Sequence, residues 1–426
     1  MPNKTNLTRR SMLGLLAGSA VVVGAPALAR AKPKVVVIGG GAAGATAAKY
    51  IARDAQGAID VTLVEPVRQY QSCFFSNLYL GGFQTYEKLL HTHDKLAGYG
   101  ITLARDSASA ISRDRREVRL AGGAMLSYDR LVVCPGIDLK FDSVPGYSEA
   151  AAETMPHAWQ SGPQTQLLKA RIDAVPDGGV VVMIAPTNPY RCPPGPYERV
   201  SMMAHTFKAT GRSKCKIIIL DAKDKYSKQG VFQQGWEKHY PGMVEWLPPA
   251  MHSGVKSVDP ATNTVTTDFE TLQAALVNVI PAQTVGRIAL SAGLANETGY
   301  CPIDAFTMKS RFDPNIYVLG DACIPGDMPK SSFAANSQAK VAAMSIRGEL
   351  LGARAFPAQY FNTCWSLVET DDCIKVGGRY EATSDKIREV QGFVSQPEDT
   401  AERRRQNYQE SLGWYAAITG SVGSTT

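Results

Sequence analysis

Short apolar runs rich in β-branched residues recur along the chain, each bounded by polar or glycine-containing segments. The run 34–38 reads KVVVI, leads directly into three glycines, and is followed by an alanine-rich helical segment, Ala45 to Ala52. Runs of this length and composition are typical of parallel strands covered on both faces. Three further runs are Asp60 to Val64, Gly179 to Ile184 and Lys216 to Asp221. Strands that alternate with helical segments predict an α/β fold with parallel sheets.

The first thirty residues have a different pattern. A basic start, Lys4 to Arg10, precedes an apolar stretch, Met12 to Val23, that closes on small residues around Ala29. This order is typical of a cleaved export signal, and the pair Arg9-Arg10 resembles the twin-arginine signal of bacteria. The alternative is an ordinary secretory signal that carries two arginines. We expect residues 1–30 to be removed and the mature protein to work in the periplasm.

Composition excludes several classes of protein. The 426 residues are 44% hydrophobic, enough for the cores of two or three domains, and no run after the signal approaches the ~20 apolar residues of a membrane-spanning helix. Removing the signal, which holds four basic residues and no acidic ones, lowers the formal net charge from +6 to +2. A charge this small does not indicate nucleic acid binding. The eight cysteines and six histidines form no CxxC, CxxCH or ligand cluster, so neither attached haem nor a metal site is predicted.

A GxGxxG pattern lies between the first predicted strand and helix. The first glycine allows the tight turn, the second lets the backbone approach a pyrophosphate, and the third lets helix and strand pack closely. The N-terminus of the helix favours a phosphate, and an acid at the end of the next strand can accept hydrogen bonds from a ribose diol. The alternative is a glycine-rich turn without a ligand. The predicted dinucleotide contacts are Gly39, Gly41, Ala42, Ala43, Gly44 and Glu65.

Later segments resemble flavoproteins with two dinucleotide-binding domains. The segment DPNIYVLGDA ends in Gly320-Asp321, whose aspartate holds the ribityl chain of FAD in that family. Tyr128 to Gly136 resembles the strand that leads out of the flavin domain. Lys330 begins a segment that resembles the helix whose N-terminus faces the isoalloxazine ring. The resemblance covers residues 34–350 and implies FAD as the cofactor.

The middle of the chain lacks a second glycine fingerprint. After the strand that ends at Ile184 comes APTNPYRCPPGPYER, whose prolines remove N–H donors that a pyrophosphate needs. We therefore expect a Rossmann-like middle domain that binds no NAD(P)H and has a site rebuilt around Cys192. This cysteine precedes a predicted helix, Tyr197 to Lys208, and a helix N-terminus lowers the pKa of a thiol. The alternatives are a structural disulfide and a buried free cysteine.

Cys364 lies among aromatic residues in YFNTCWS, a pattern that also fits a core position. Together with the segment CPPGPYER, it gives the chain a resemblance to the flavoprotein subunit of flavocytochrome c sulfide dehydrogenase, a relative of the sulfide:quinone reductases. The resemblance implies a redox-active disulfide between Cys192 and Cys364, Glu198 as an active-site acid, and a thioether bond from Cys73 to the 8α carbon of FAD. The alternatives are a surface glutamate beside Arg199 and a tightly bound, non-covalent FAD. The other five cysteines are interpreted as core residues or incidental pairs.

The same resemblance implies a reaction and a partner. Hydrosulfide, a soft nucleophile, would open the disulfide, Cys364 would pass two electrons to FAD, and a separate c-type cytochrome subunit would accept them singly. Trp414 lies where the family closes the pocket over the flavin, although it also fits an anchor for the tail. A sulfide:quinone oxidoreductase is the nearest alternative, but the charged segment Thr400 to Glu410 is unlike a membrane anchor. A flavin-binding protein without catalysis is another alternative.

The predicted fold class is therefore α/β, with two Rossmann-like dinucleotide-binding-type domains of the glutathione reductase-like kind and a C-terminal α+β segment. The predicted domains are a signal peptide at 1–30, the first part of an FAD-binding domain at 32–150, a second Rossmann-like domain without a nucleotide fingerprint at 151–285, the second part of the FAD-binding domain at 286–355, and a C-terminal domain of the flavocytochrome c sulfide dehydrogenase type at 356–426.

Overall fold

A six-stranded sheet organises the first part of the chain and recruits strands from a later part. The computed structural model describes residues 31–422, so the predicted twin-arginine signal lies outside the described residues. Neighbouring strands of this first sheet are parallel except the antiparallel pair Lys309–Ser310 and Asp313–Val318, and the strand Lys34–Ile38 in the middle is buried at every residue except Lys34. In spatial order the strands are Lys309–Ser310, Asp313–Val318, Arg130–Val133, Lys34–Ile38, Asp60–Val64 and Thr102–Ala104.

Two long helices pack on this sheet, Ala42–Ala55 and Ser332–Leu351. Both carry small residues, mainly alanine, on their buried faces, which lets them lie close to each other and to the strands. The first helix is longer at both ends than the predicted segment Ala45 to Ala52. Helix termini satisfy their backbone groups locally, so residue pattern locates them less well than the buried middle.

The middle of the chain forms a second, four-stranded parallel sheet. Alternate residues of its strands enter two separate apolar clusters, so both faces are covered and the strands read as continuous apolar runs. The strands in spatial order are Val244–Leu247, Lys216–Leu220, Val180–Ile184 and Leu276–Val279, and the accompanying helices are Pro163–Asp173, Gly195–Ala209 and Gln229–His239.

The last part of the chain is a three-stranded antiparallel sheet followed by one helix. Its strands are Gln359–Glu369, Asp372–Ala382 and Ile387–Val394, and the helix is Ala401–Val422. This helix contains the charged segment and packs on the first two strands. No helix within residues 31–422 has the length and apolar content needed to cross a membrane. Two parallel-sheet units of Rossmann type and a C-terminal α+β unit confirm the predicted fold class.

Smaller elements connect these three parts. The remaining strands are Gln69–Gln71, Leu90–Thr92, Ala108–Ser112, Glu117–Leu120, Met125–Ser127, Ile137–Lys140, Val255–Asp259, Thr264–Thr267, Thr271–Gln273, Ala282–Val285, Cys301–Pro302 and Cys323–Ile324; the short helices are Ser76–Leu80, Tyr86–Leu89, Asp94–Ala97, Phe141–Ser143, Ala151–Glu153, Pro249–His252, Arg287–Ser291 and Gly320–Ala322.

Candidate active site

Two adjoining cavities lie where the carboxyl ends of the parallel strands face the C-terminal sheet. The first, which we call the glycine cleft, has a volume of about 320 Å³ and is lined by the glycine-rich turn and the 320–321 segment. The second, which we call the thiol cavity, has a volume of about 110 Å³ and is lined by three cysteines of the predicted site. The residues common to both linings are Cys73, Phe74, Ser161, Arg191 and Ser332.

The glycine cleft is shaped by backbone contacts that only glycine permits. Gly39 has φ +92°, and a Cβ there would lie 2.3 Å from the carbonyl oxygen of Cys134. A Cβ on Gly44 would lie 1.9 Å from the carbonyl oxygen of Gly39, so this glycine lets the helix approach the strand. A Cβ on Gly41 would meet no atom within 4 Å and would enter the cleft. Ala42 and Ala43 line the cleft beside it, as predicted for a pyrophosphate site.

Two carboxylates also line the glycine cleft. Glu65 accepts hydrogen bonds from the backbone N–H of Gly40, at 2.7 Å, and of Val67, at 3.2 Å. Asp321 has one buried oxygen, Oδ1, without a partner among the described residues, while its Oδ2 lies 3.8 Å from the guanidinium of Arg191. A buried acceptor of this kind needs a donor, and the hydroxyls of a ribityl chain would provide one. The residues present therefore fit FAD.

The side chain of Lys330 lines neither cavity, and its contact with the cofactor stays a prediction. Its ammonium donates to the carbonyl oxygens of Asp321 and Cys323 and lies 3.9 Å from the centre of the Tyr300 ring. The side chain thus closes the end of the Gly320–Ala322 turn. Its neighbour Ser331 caps the 332–351 helix instead, because its Oγ accepts from the N–H of Ala334 at 3.0 Å.

Cys192 lies in the loop before the Gly195–Ala209 helix, in a left-handed conformation with φ +57°. Its N–H donates to the carbonyl of Lys330, and its own carbonyl accepts from the N–H of Gly195, both at 2.8 Å. Its Sγ lies only 2.9 Å from the place that a Cβ on Gly195 would take. Residue 195 must therefore be glycine for the sulfur to sit in the cavity.

Cys364 approaches the thiol cavity from the C-terminal sheet, on the strand Gln359–Glu369. Its side chain is 9% exposed, and Asn362 Nδ2 lies 3.5 Å from the sulfur. All eight cysteines have free thiols in the structure, so the predicted disulfide partners appear here as a dithiol. The two cysteines come from different domains, and both line the one cavity.

Burial determines the pKa of both thiols. It raises the pKa of Cys192, and nearby Cys364 and Glu198 raise it further, against a smaller opposing effect of Arg191. The expected lowering by the helix N-terminus is thus wrong for Cys192, because desolvation outweighs it. Burial also raises the pKa of Cys364, but the charge of Lys228 and hydrogen bonds from Asn362 and Ser331 oppose that rise.

Glu198, in the first turn of the 195–209 helix, also lines the thiol cavity. Its carboxylate accepts from Asn77 Nδ2 at 2.8 Å and from the backbone N–H of Leu367 at 3.0 Å. Burial raises its pKa above the ordinary value of 4.5, although these hydrogen bonds and two nearby cations act in the opposite direction. The alternative of a surface glutamate is wrong.

Cys73 is partly exposed on the wall shared by the two cavities. Aromatic rings surround it: Phe74 lies 5.5 Å from the ring of Trp414, and Phe75 stacks on Tyr415 at 4.3 Å. Trp414 lines the thiol cavity, whereas Tyr415 makes polar contacts with Ser72, His91 and the carbonyl of Lys88 and so anchors the helix. Tyr415 is therefore an anchor for the tail, and the role of Trp414 over the flavin stays a prediction.

Sequence reasoning missed several residues of the thiol cavity and its surroundings. Arg191 and Asn77 adjoin the motifs around Cys192 and Cys73, so proximity to a motif was a usable signal. Cys373, interpreted as core, lines the cavity and is 1% exposed. Lys228 follows no motif and had no signal in the sequence. Among residues 31–422, no group of three metal-ligating side chains could hold a metal ion.

Three family models match successive parts of the chain. Pyridine nucleotide-disulphide oxidoreductase matches residues 33–175, the central part of the sulfide dehydrogenase (flavocytochrome c) flavoprotein chain matches 165–281, and flavocytochrome c sulphide dehydrogenase, flavin-binding, matches 357–421. Among curated proteins, mitochondrial sulfide:quinone oxidoreductase of Mus musculus is 23% identical over 73% of this chain and 70% of its own length. The flavoprotein chain of the sulfide dehydrogenase (flavocytochrome c) of Chlorobaculum thiosulfatiphilum is 52% identical over 44 residues, which are 10% of this chain and 90% of that sequence.

Among solved structures, the sulfide:quinone oxidoreductase of Aquifex aeolicus superposes with a TM-score of 0.71 at 16% identity, over 91% of this chain and 92% of that one. At this identity the likeness shows the fold, which agrees with the sheets described above. The two sulfide dehydrogenase models cover the regions that supply Cys192 and Cys364. The chain belongs to the family of flavocytochrome c sulfide dehydrogenase flavoprotein chains, which is related to the sulfide:quinone oxidoreductases.

Proposed function

We propose that this protein oxidises sulfide to polysulfide or sulfur, with FAD in the glycine cleft and the pair Cys192 and Cys364 as the sulfur-reactive group. The observation that carries the proposal is the shared lining of the two cavities, which places two thiols from separate domains next to a cofactor site. Family membership supports the substrate, because the matching family models are named for sulfide dehydrogenases.

The cysteines perform the sulfur chemistry in this proposal. Hydrosulfide attacks Cys192 Sγ in the disulfide form of the pair; a new S–S bond forms, the Cys192–Cys364 bond breaks, and Cys364 leaves as a thiolate. Glu198 takes the proton when the incoming species is neutral hydrogen sulfide. A second hydrosulfide then removes the outer sulfur of the Cys192 persulfide, which leaves a dithiol. Bound FAD supplies the two-electron acceptor that allows the dithiol to return to the disulfide.

We also propose that the electron donor is sulfide alone and not NAD(P)H. In the middle domain, the acid that follows the second strand is Asp221, which is fully buried. It accepts from Tyr197 Oη at 2.6 Å and Trp246 Nε1 at 2.9 Å, and it pairs with Lys223 at 2.6 Å. The backbone N–H of Lys223 is a fourth donor, at 3.1 Å, so the acceptor positions of this carboxylate are filled from within the chain and none is left for a ribose. The proline-rich segment before Gly195 supports the same conclusion.

Cys73 is proposed to bind FAD through a thioether bond. Its position on the wall between the cavities supports this, because the reactive ring of FAD would lie between the cleft and the thiols. Mass spectrometry of the denatured protein would show the polypeptide plus one flavin, and Cys73→Ala would show the polypeptide alone. A bare polypeptide mass for the wild type would eliminate the covalent bond while leaving bound FAD intact.

The proposed acceptor is a separate c-type cytochrome subunit, and the proposed location is the periplasm. Purification from a native host should yield a haem c protein with this chain. The related sulfide:quinone oxidoreductases make a quinone the second candidate. Sulfide-reduced protein should be reoxidised faster by the co-purified cytochrome than by a water-soluble quinone analogue; the opposite order would favour the second candidate.

Replacement of Cys192 tests the sulfide chemistry directly. Cys192→Ser should lower the rate of sulfide-dependent bleaching of bound flavin by about a thousandfold or more, since the S–S bond cannot form. The matched control is Cys215→Ser, a buried cysteine of the same domain whose thiol donates to the carbonyl of Pro176. The control should bleach at the wild-type rate. An unchanged rate in Cys192→Ser, measured with full flavin content, would contradict the mechanism.

A further inference from the structure

One buried lysine behind the thiol cavity has no place in the chemistry described so far. Lys228 is 7% exposed and lies at the start of the Gln229–His239 helix. Its Nζ donates to Ser366 Oγ at 2.8 Å, to the carbonyl of Cys364 at 3.2 Å and to the carbonyl of Ile374 at 3.5 Å. The ammonium thus bridges two strands of the C-terminal sheet at the level of the reactive cysteine.

All three acceptors are neutral, and Lys228 forms no salt bridge with any carboxylate in the described part of the chain. The other lysine buried to this degree in the middle domain, Lys223, is paired with Asp221 at 2.6 Å. Burying a charge is costly unless an opposite charge accompanies it. A negative charge that forms beside Lys228 would therefore be stabilised by the ammonium and would in turn favour its charged form.

The ionisable groups that face Lys228 identify where that charge forms. Burial lowers its pKa, and negative charge on Cys364, then Cys373, Glu198 and Cys192, acts to raise it. Cys364 is the first among them, and its backbone carbonyl is a direct partner of the ammonium. Cys192, by contrast, faces Arg191, which is already close to Asp321.

We infer that Lys228 is a positioning residue that supplies the positive charge for the thiolate formed at Cys364 when the disulfide opens. This inference rests on the proposed function. In the opening step, hydrosulfide carries one negative charge into the cavity, a bond forms from its sulfur to Cys192 Sγ, and the electron pair of the broken S–S bond leaves on Cys364. The charge is conserved and moves toward Lys228.

Two consequences follow for the reaction. A disulfide opens faster when the leaving thiol has a lower pKa, so Lys228 accelerates the step by acting on the leaving group. It also determines which cysteine carries the persulfide, because the thiolate is favoured at Cys364 and the incoming sulfur is directed to Cys192. Asn362 Nδ2, at 3.5 Å from the Cys364 sulfur, adds to the same preference.

Alkylation of the reduced protein tests this assignment without sulfide turnover. The dithiol form is treated with iodoacetamide across a range of pH, and the rate at each cysteine is read by peptide mass. Lys228→Gln keeps a hydrogen-bond donor near Ser366 and removes the positive charge. The pKa of Cys364 should then rise by at least about one unit, so its alkylation rate at a pH below that pKa should fall at least about tenfold. Lys228→Arg should restore most of the wild-type rate.

The matched control is Lys208→Gln, which removes the same charge from a half-exposed lysine that pairs with Glu369 at the end of the same strand. It should leave the Cys364 profile unchanged, and Cys215 serves as an internal reference in every sample. A wild-type profile in folded Lys228→Gln overturns the inference. If Lys228→Gln does not fold, Lys228→Arg and Ser366→Ala still test the inference. Ser366→Ala removes one hydrogen-bond acceptor of the Lys228 ammonium and should lower the alkylation rate of Cys364. An unchanged rate in Ser366→Ala would overturn the inference.

The outcomes also separate this inference from the proposed function. A wild-type protein whose flavin is not bleached by sulfide would contradict the proposed function. A shifted alkylation profile of Cys364 in Lys228→Gln would still show that the charge of Lys228 stabilises the Cys364 thiolate. With sulfide, Lys228→Gln should slow flavin bleaching by about tenfold, in proportion to the alkylation change. Slow bleaching with an unshifted profile would point to a merely structural role and would count against the inference.

Discussion

The two parallel sheets of this protein face the site with the same edge, the carboxyl ends of their strands, but the loops that follow those strands differ. In the first sheet, a three-glycine turn joins the strand Lys34–Ile38 to its helix and leaves open space at Gly41. In the second, the strand Val180–Ile184 is followed by a longer, proline-rich loop that holds a thiol against Gly195. One edge thus ends in an open cleft lined by glycine backbone, and the other ends in a cavity lined by a cysteine thiol.

The acids after the second strand of each sheet show the same contrast. Glu65 lines the glycine cleft and is held by backbone N–H groups, whereas Asp221 is buried beneath Tyr197, Trp246 and Lys223. An acid at this position thus lines an open cleft in one sheet and is a buried counter-ion in the other. The two sheets therefore share their strand and helix geometry, although the acids after their second strands have different partners.

Neutralising each acid should separate the two roles, and this gives the largest expected effect. Asp221→Asn leaves Lys223 buried without a counter-ion and should lower the free energy of unfolding by about 3 to 5 kcal/mol, measured by urea denaturation. Glu65→Gln should change that free energy little and weaken FAD retention instead. Equal losses of stability in the two variants would break the comparison.

The glycines of the first turn offer the next test. Gly44→Ala places a Cβ 1.9 Å from the Gly39 carbonyl, so the turn must distort, and we expect a loss of about 3 kcal/mol in stability. In Gly41→Ala the added Cβ meets no protein atom within 4 Å, so the variant should fold normally. It should bind FAD at least about tenfold more weakly, a loss of about 1.4 kcal/mol in binding free energy, because the methyl group occupies the cleft.

Flavin content after gel filtration and thermal melts of the flavin-free protein would distinguish these two glycine variants. Gly230→Ala, a helical glycine whose Cβ also meets nothing within 4 Å, is the matched control outside the cleft. A full complement of FAD in Gly41→Ala would show that the cleft does not receive the pyrophosphate there.

Residue pattern predicted the fold and most of the glycine cleft because both depend on local rules. A strand, a glycine turn and a helix occur within one stretch of the chain, and each glycine has a steric reason that is readable from spacing. Cys192, Glu198 and Cys364 could be named from resemblance, and their assignment as reactive groups remains a prediction. What placed them in one cavity is the packing of the C-terminal sheet on the middle domain.

The sequence pattern described least well the residues whose environment depends on what packs against them. Lys330 follows the Gly-Asp motif closely, but its long side chain turns back to two carbonyls instead of reaching the cleft. The pKa of Cys192 was expected to fall at a helix N-terminus, yet desolvation raises it. Lys228 gave no signal because its partners lie about 140 residues away in the chain.

Substitution of Glu198 has the smallest expected effect, and it tests a difference between the helices that follow the first strands of the two sheets. It is the fourth residue of the 195–209 helix, and its counterpart at the fourth position of the Ala42–Ala55 helix is Ala45, so only the thiol edge carries an acid there. Burial raises the pKa of Glu198, so the unfolded chain ionises first and stability is lost as pH rises from 4.5 through the folded value. As the proton acceptor, Glu198 should give flavin bleaching an acidic limb above pH 4.5.

Glu198→Gln removes the titration and keeps an acceptor for one of the two donors, Asn77 Nδ2 or the N–H of Leu367. It should slow bleaching by about tenfold where neutral hydrogen sulfide is the incoming species, since a positioned base contributes at least that much, and the limb above pH 4.5 should disappear. Stopped-flow bleaching from pH 5 to 8, corrected for the fraction of hydrosulfide, measures both. A variant that keeps the limb would assign it to another group, and the two helix N-termini would then differ in their thiol alone.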